Sequence, residues 1–440
     1  QNQKTILGSD KRLQLIHQLI DANIPGIEVA SFVNPHDIVL FPAWRRQENN
    51  PIEKSNLDPP LVPEPPTRHE DLSSKPASQI AYKNAYFSGY GPYRRVKSIY
   101  ERNEQAYRDL YYRLHLEVDG PIDSVRKTVT ENDSNETIIF RTSDHGDLLG
   151  AHGGLHQKWF TLYDEATRVP FQIVKTGNQP TSSKIISNIP TSHIDLIPTA
   201  LGLAGLNQED LSEKLSPSFT EMHPLPGHDL SPLLENHNEN LFSKRGVYMM
   251  TRDNMLEGDT LASAIARHLG RANNPPKPMR IRVPSYVASN FEGLVVKVDE
   301  TDAEGGGGNL WKLVKAFDDP STWSHPHENH LASSSPIGIR HRNSKIPDQW
   351  ELYNLDSDPI ELENKSNDLA FSEVFNYLKK SLEEESANQV PKRNNPWPYA
   401  RRKPPKEQIP LKTPPIPARI LRSVLQKLGL HPEDSESFKS

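Results

Sequence analysis

The densest run of groups able to do chemistry is Ser143-Asp144-His145-Gly146-Asp147, with His152, His156 and Lys158 following within fifteen residues. A carboxylate beside an imidazole can hold a hard divalent cation, for which oxygen donors dominate when the ion is Ca²⁺ or Mg²⁺. Glycines at 146, 150, 153 and 154 let the backbone bend, so that Lys158 can return toward Asp144 and His145. An ammonium there neutralises an anionic substrate group as a point charge. His152 and His156, in the same glycine-rich loop, read as surface histidines. Upstream, His36 follows Pro35 in Val33-Asn34-Pro35-His36-Asp37.

The elements that must position these groups follow from periodicity. Thr137–Arg141 (TIIFR) reads as a buried strand of the parallel type, and it ends directly before the polar cluster. In open α/β sheets, functional groups sit just beyond the carboxyl ends of strands. Phe171–Lys175 is a second strand candidate. Residues 1–35 read as a helix carrying Leu13, Ile16, Leu19 and Ile20, then a short strand over Ile27–Val33. A helical stripe of Tyr107, Leu110, Leu114, Val118, Ile122 and Val125 predicts a helix over 99–125, its tyrosines used for packing. Ser192–Ala204 predicts a helix that stops at Gly205. Residues 38–95, an extended stretch rich in proline up to Pro66 and carrying Trp44, predict a surface loop or a flap over a site. Beyond residue 235, Gly246–Thr251, Phe291–Val298, Asn309–Phe317 and Gln349–Leu355 follow one another mostly without intervening helices, which predicts an antiparallel sheet covered by a helix over Leu369–Leu382. The run Gly305–Gly308 reads as a turn, since no Lys-Ser/Thr or helix follows to make it a phosphate cradle.

Composition bounds the function. The 440 residues carry a net charge of −6 and 39 prolines. That mild acidity argues against a nucleic-acid binder working through bulk charge. No apolar run reaches the ~20 residues of a membrane span. The absence of cysteine excludes disulfides, thiolate metal sites and a cysteine nucleophile.

Several stretches resemble a known family. TSDHGDLLGAHGGLHQKWFTLYDEATRVPF over 142–171 is similar to the metal-and-lysine segment of the sulfatases, in the alkaline-phosphatase-like superfamily. Phe32–Ile38 resembles the family's "NPHD" strand end, Thr191–Thr199 its "S-H-x-D-L-x-P-T" helix, and Asp348–Pro359 its "W-E-L-Y-D-L-x-x-D-P" strand. The resemblance, over about 31–400, implies an α/β fold: a truncated alkaline-phosphatase-like mixed sheet with flanking helices, plus a small C-terminal antiparallel α+β domain. The implied division is 36–235 for the α/β domain, 236–400 for the small domain and 401–440 for a proline-rich basic tail. By the same resemblance Asp144 and His145 are metal ligands for Ca²⁺, with Mg²⁺ or Mn²⁺ as alternatives. Lys158 contacts the sulfate and the scissile oxygen, and His36 contacts the sulfate ester and assists departure of the alcohol.

The implied activity is hydrolysis of a small-molecule sulfate ester, by nucleophilic attack on sulfur and collapse of a covalent sulfo-enzyme. The family's nucleophile is a formylglycine hydrate made within a C/S-x-P-x-R motif, and no such motif occurs here. The expectation is therefore a weak or inactive chain without its N-terminal part, where any targeting signal would also lie. Residues 1–35 resemble instead a helix and strand of hydroxymethylglutaryl-CoA lyase, a TIM-barrel family. The two resemblances overlap on Ser31-Phe32-Val33-Asn34-Pro35, as expected of a chimera joined there. Rival expectations are a phosphate or phosphonate ester hydrolase of the same superfamily, a non-catalytic remnant, and a lyase that cleaves an acyl-CoA.

Overall fold

The computed structural model describes residues 29–41, 61–89, 93–132, 137–176, 187–219, 222–236, 239–252, 287–323, 325, 327–335 and 338–390. The helix predicted in residues 1–22, Trp44 and the tail beyond 400 lie outside them. The described chain divides into two compact units: one from residues up to 193 and from 232 to 390, the other from 194–231.

In the larger unit, helices α1 (Ala77–Gly89), α2 (Tyr93–Arg102) and α3 (Glu104–Asn132) precede strand β1 (Ile138–Thr142). Helix α1 and the start of α2 thus lie within the 38–95 stretch read as a loop, and the one helix predicted over 99–125 is two. The break falls at Asn103, whose side-chain amide donates to the Ile99 carbonyl at 2.6 Å and so competes with the helical ladder. After a loop, β2 (Phe171–Lys175) pairs antiparallel with β1, with Ile138 opposite Lys175 and Thr142 opposite Phe171. The parallel, buried strand expected at 137–141 is therefore a half-exposed antiparallel one. A short apolar run fixes extended backbone but not the direction of its partner. Residues 29–33 form no strand, and Val29 is exposed.

Further along, β3 (Val247–Arg252), β4 (Asn290–Val298), β5 (Asn309–Phe317) and β8 (Gln349–Asn354) form an antiparallel sheet in the order β3-β4-β5-β8. A separate hairpin joins β6 (His330–Ser335) to β7 (Gly338–Arg342). Successive residues of a strand face opposite sides, and the sheet uses both. Phe291, Val314, Ala316 and Tyr353 enter a core with Tyr82, Tyr86, Tyr100, Tyr107, Leu148 and Phe160. Leu294, Val296, Trp311, Leu313 and Leu352 enter a second core with Val374, Leu378 and Leu382. Those last three recur every four residues on α6 (Ser372–Gln389), which covers the sheet. Because Leu378 is fully buried, Leu378→Ala is expected to cost about 2–5 kcal/mol, read as a lower urea midpoint with an unchanged slope. The first core draws on both sides of residue 235.

The Gly305–Gly308 turn joins β4 to β5. The Glu300 carboxylate accepts the N–H groups of Gly305 (3.1 Å) and Gly307 (3.0 Å), so an internal anion already fills this turn. In the smaller unit, α4 (Leu196–Leu203) is shorter than the predicted 192–204 and is followed by Gly205 at φ +67°. Asp195 accepts the His228 N–H at 2.9 Å, and Asn207 caps α5 (Gln208–Leu215) by accepting from Glu209 and Asp210. No helix among the described residues is long and apolar enough to cross a membrane.

Candidate functional site

Asp144 and His145 stand two and three residues past the end of β1, where the ladder with β2 stops. Gly146 fixes the next bend. Its N–H donates to the Ala166 carbonyl at 2.9 Å, and a Cβ here would lie 2.0 Å from the Glu165 carbonyl oxygen. Only glycine allows that approach. Asp144 Oδ1 accepts the His145 N–H at 2.9 Å, and Asp144 Oδ2 lies 3.2 Å from His145 Nε2. The Asp144 side chain is 80% exposed, so its oxygens are open to a ligand. Partial burial pushes its carboxyl up, but the His145 ring, the His145 N–H and the Lys158 ammonium outweigh that and hold it below the usual carboxylate range.

Lys158 follows the returning arm of a narrow loop. Leu148 donates to the Gln157 carbonyl at 2.8 Å and Gly150 to the Leu155 carbonyl at 2.8 Å, with Gly150, Gly153 and Gly154 at positive φ. Asp147 ties the two arms: its Oδ1 accepts N–H groups from Leu149 (2.9 Å) and Gln157 (3.2 Å), while Tyr107 donates its hydroxyl at 3.3 Å. Burial pushes the Asp147 carboxyl up, against the pull of those donors and of Lys158. The positive field of Lys158 thus reaches both Asp144 and Asp147.

His36 opens the 3₁₀ turn His36–Leu40 and is exposed. The turn is anchored through Ile38, buried in the first core, and through Phe41, whose ring packs 5.2 Å from Tyr100 and 5.1 Å from Tyr107. Asn34 donates to Glu117 of α3 at 3.4 Å. Helix α3 therefore carries both the His36 turn and, through Tyr107, the Asp147 loop. The structure pairs Asp144 with His145, and the charge of Lys158 acts on the Asp144 carboxyl; among the described contacts none joins Lys158 or His36 directly to that pair.

The donor chemistry fits a divalent cation in part. Two ligands at right angles around an ion ~2.4 Å away stand ~3.4 Å apart, close to the 3.2 Å between Asp144 Oδ2 and His145 Nε2. Among the described residues, however, no group of three or more His, Asp or Glu side chains completes a shell.

Two histidines differ from expectation. His152 and His156, read as surface groups, are both buried. His152 Nδ1 meets Glu70 at 2.8 Å and Nε2 meets Glu165 at 3.2 Å, its ring stacked on Tyr163 at 3.5 Å. His156 lies among the rings of Tyr86, Tyr100 and Tyr107 at 4.8–5.4 Å. Periodicity had no means of finding these partners, since Glu70 lies 82 residues from His152. Sequence reasoning also missed His193, whose Nε2 is 3.1 Å from Thr142 Oγ1 at the end of β1. Its signal was the Ser-His of the 191–199 stretch.

Residues 33–206 match the family described as Sulfatase. An uncharacterized sulfatase of Escherichia coli, YidJ, is 30% identical over 208 residues, 46% of this chain and 36% of its own length. Arylsulfatase K of Danio rerio is 30% identical over 128 residues, 29% of this chain and 21% of its own. The chain thus spans about a third or less of the length of these relatives. Among solved structures, BT1596, a 2-O GAG sulfatase, superposes with a TM-score of 0.52 at 18% identity, over 87% of this chain and 63% of that one. BT4656, solved with its substrate D-glucosamine-2-N,6-O-disulfate, superposes with a TM-score of 0.50 at 17% identity, over 87% and 70%. At such identities the structures speak for the fold alone, which is alkaline-phosphatase-like. Over residues 33–206 the chain is therefore similar to the sulfatases.

Proposed function

We propose that Asp144, His145, Lys158 and His36 form the anion-handling part of a sulfate-ester hydrolase site. The observation that carries this reading is the Asp144–His145 pair at 3.2 Å, just past a strand end, with the charge of Lys158 acting on Asp144. Asp144 and His145 would hold a divalent cation, Ca²⁺ by the resemblance, which would supply charge neutralisation to the sulfate oxygens. Lys158 shares that charge as a fixed ammonium, and His36 gives a proton to the departing alkoxide. The sulfated sugar bound by the structural neighbour BT4656 makes a sulfated saccharide a reasonable substrate class. With no C/S-x-P-x-R motif in this sequence, the polypeptide binds such esters but turns them over weakly or not at all. The lyase-like resemblance of residues 1–35 falls mostly outside the described residues and assigns no group to this site.

The test has two arms. Calorimetry with inorganic sulfate in the presence of Ca²⁺ is expected to detect binding that Asp144→Ala weakens at least tenfold; unchanged binding in that variant overturns the site. Release of 4-nitrophenol from its sulfate ester, with Ca²⁺ or Mn²⁺ added, is expected to match the blank. Turnover abolished by Asp144→Ala overturns the inactivity. Running 4-nitrophenyl phosphate alongside tests the phosphate-ester reading, which turnover of the phosphate but not the sulfate ester would favour.

A further inference from the structure

His152 is tightly constrained within the loop between His145 and Lys158. Its backbone stands at φ +47° and ψ +69°, in the left-handed region that a residue bearing a Cβ enters at a cost. Such a conformation persists only where the surroundings over-determine it. Here they do. The His152 N–H donates to Thr67 Oγ1 at 3.0 Å, and the next N–H, from Gly153, donates to the Thr67 carbonyl at 2.8 Å. The ring is fixed at both nitrogens by Glu70 and Glu165 and from its face by Tyr163. Glu70 is fixed in turn by the Lys75 ammonium at 2.9 Å, itself bonded to the Tyr353 hydroxyl and the carbonyls of Glu361 and Leu362.

The consequence lies in what each partner touches next. Glu165 belongs to the helical turn Asp164–Thr167, and that turn's carbonyls press on Gly146, directly after His145. On its other side, His152 is on the loop whose returning arm ends in Gln157 and Lys158. The same imidazole therefore holds the turn that supports the Asp144–His145 arm and the loop that delivers the ammonium.

We infer that His152 is a positioning residue which sets the distance between Lys158 and the Asp144–His145 pair by bridging Glu165 to Glu70. The inference rests on the sulfate-site reading above. His152 touches no substrate; it acts through Lys158. A misplacement of ~1 Å at such a site can cost on the order of 10²-fold. Burial opposes charge on His152, but the hydrogen bonds of Glu165 and Glu70 outweigh it and push the imidazole up to about 9, so at neutral pH a cation lies between the two carboxylates.

A double-mutant cycle tests this with inorganic sulfate as ligand. His152→Ala, or the milder Glu165→Gln, is expected to weaken sulfate binding roughly tenfold in the wild-type background and to have no further effect in Lys158→Ala. Equal losses in both backgrounds overturn the inference, because a merely structural role does not depend on Lys158. If Lys158→Ala leaves sulfate binding intact, the site reading fails, and a ligand-free measurement then decides the inference by itself. In His152→Ala, acylation of lysines by acetic anhydride, followed by mass spectrometry, is expected to speed severalfold at Lys158 while buried Lys75 and Lys312 stay protected. An unchanged Lys158 rate, or exposure of all three, overturns it.

Discussion

Replacing Lys312 by methionine is expected to destabilise the larger unit by about 3–5 kcal/mol, measured by urea unfolding at pH 8. Lys312 lies on β5 in the middle of the sheet, and its side chain has no exposure. Its ammonium meets Glu361 at 2.7 Å, Asp164 at 2.5 Å and the Leu162 carbonyl at 3.1 Å. Removing a buried cation costs more than the pair contributed, because the partner charge stays behind without compensation. Glu361, with 1% of its side chain exposed, is that partner; Asp164 keeps 22% and can turn to water. Burial pushes the Glu361 carboxyl up to about 7, against the pull of Lys312. Without Lys312 it rises further, so the variant's Glu361 takes a proton at pH 5 and loses it only at a cost above neutrality. The penalty is therefore smaller at pH 5 than at pH 8. Adding Glu361→Gln to Lys312→Met is expected to restore much of the loss, since that carboxamide carries no charge to strand. A single variant as stable as the parent at pH 8 refutes the account.

This cluster also marks what the sequence could and could not convey. The C-terminal sheet was legible because alternation along β4 and β5 is a local property: Val314 faces one core and Leu313 the other. The Asp144–His145 pair was legible for a similar reason, as polar residues directly after an apolar strand. Partner identity was not. Lys312 and Asp164 are 148 residues apart, and nothing in either neighbourhood announces a buried ion pair. His152 and His156 were misread because a glycine-rich loop usually runs over the surface, whereas this one is pressed under Arg68 and Leu72, which contact the glycine positions 150, 153 and 154. β1 was misread because five apolar-rich residues specify extension, while the register with β2 is set elsewhere.

The two buried histidines are expected to bound stability in pH from opposite sides. His156 is held neutral: burial among Tyr86, Tyr100 and Tyr107 pushes its imidazole down to about 3, and the charges of Arg68, Lys83 and Arg108 act the same way. An unfolded chain protonates this histidine near 6.5, so between pH 6.5 and about 3 the unfolded state binds a proton that the folded state refuses. Stability then falls with acid by about 1.4 kcal/mol per pH unit, up to about 5 kcal/mol in all. His152 behaves inversely. Its folded imidazole titrates at about 9, so its contribution of about 3 kcal/mol is fully present below pH 6.5 and is lost as pH rises through 9. Urea midpoints at pH 4, 7 and 9.5 separate the two. His156→Phe is expected to flatten the acid limb and leave the alkaline one, and His152→Gln to do the reverse. The slope carries the result, because a larger ring at position 156 can lower stability equally at every pH by crowding the tyrosines. A His156→Phe chain that loses stability in acid as steeply as the parent would mean that the folded cage already accepts the proton, and with it a charge that three neighbouring cations and three buried rings oppose.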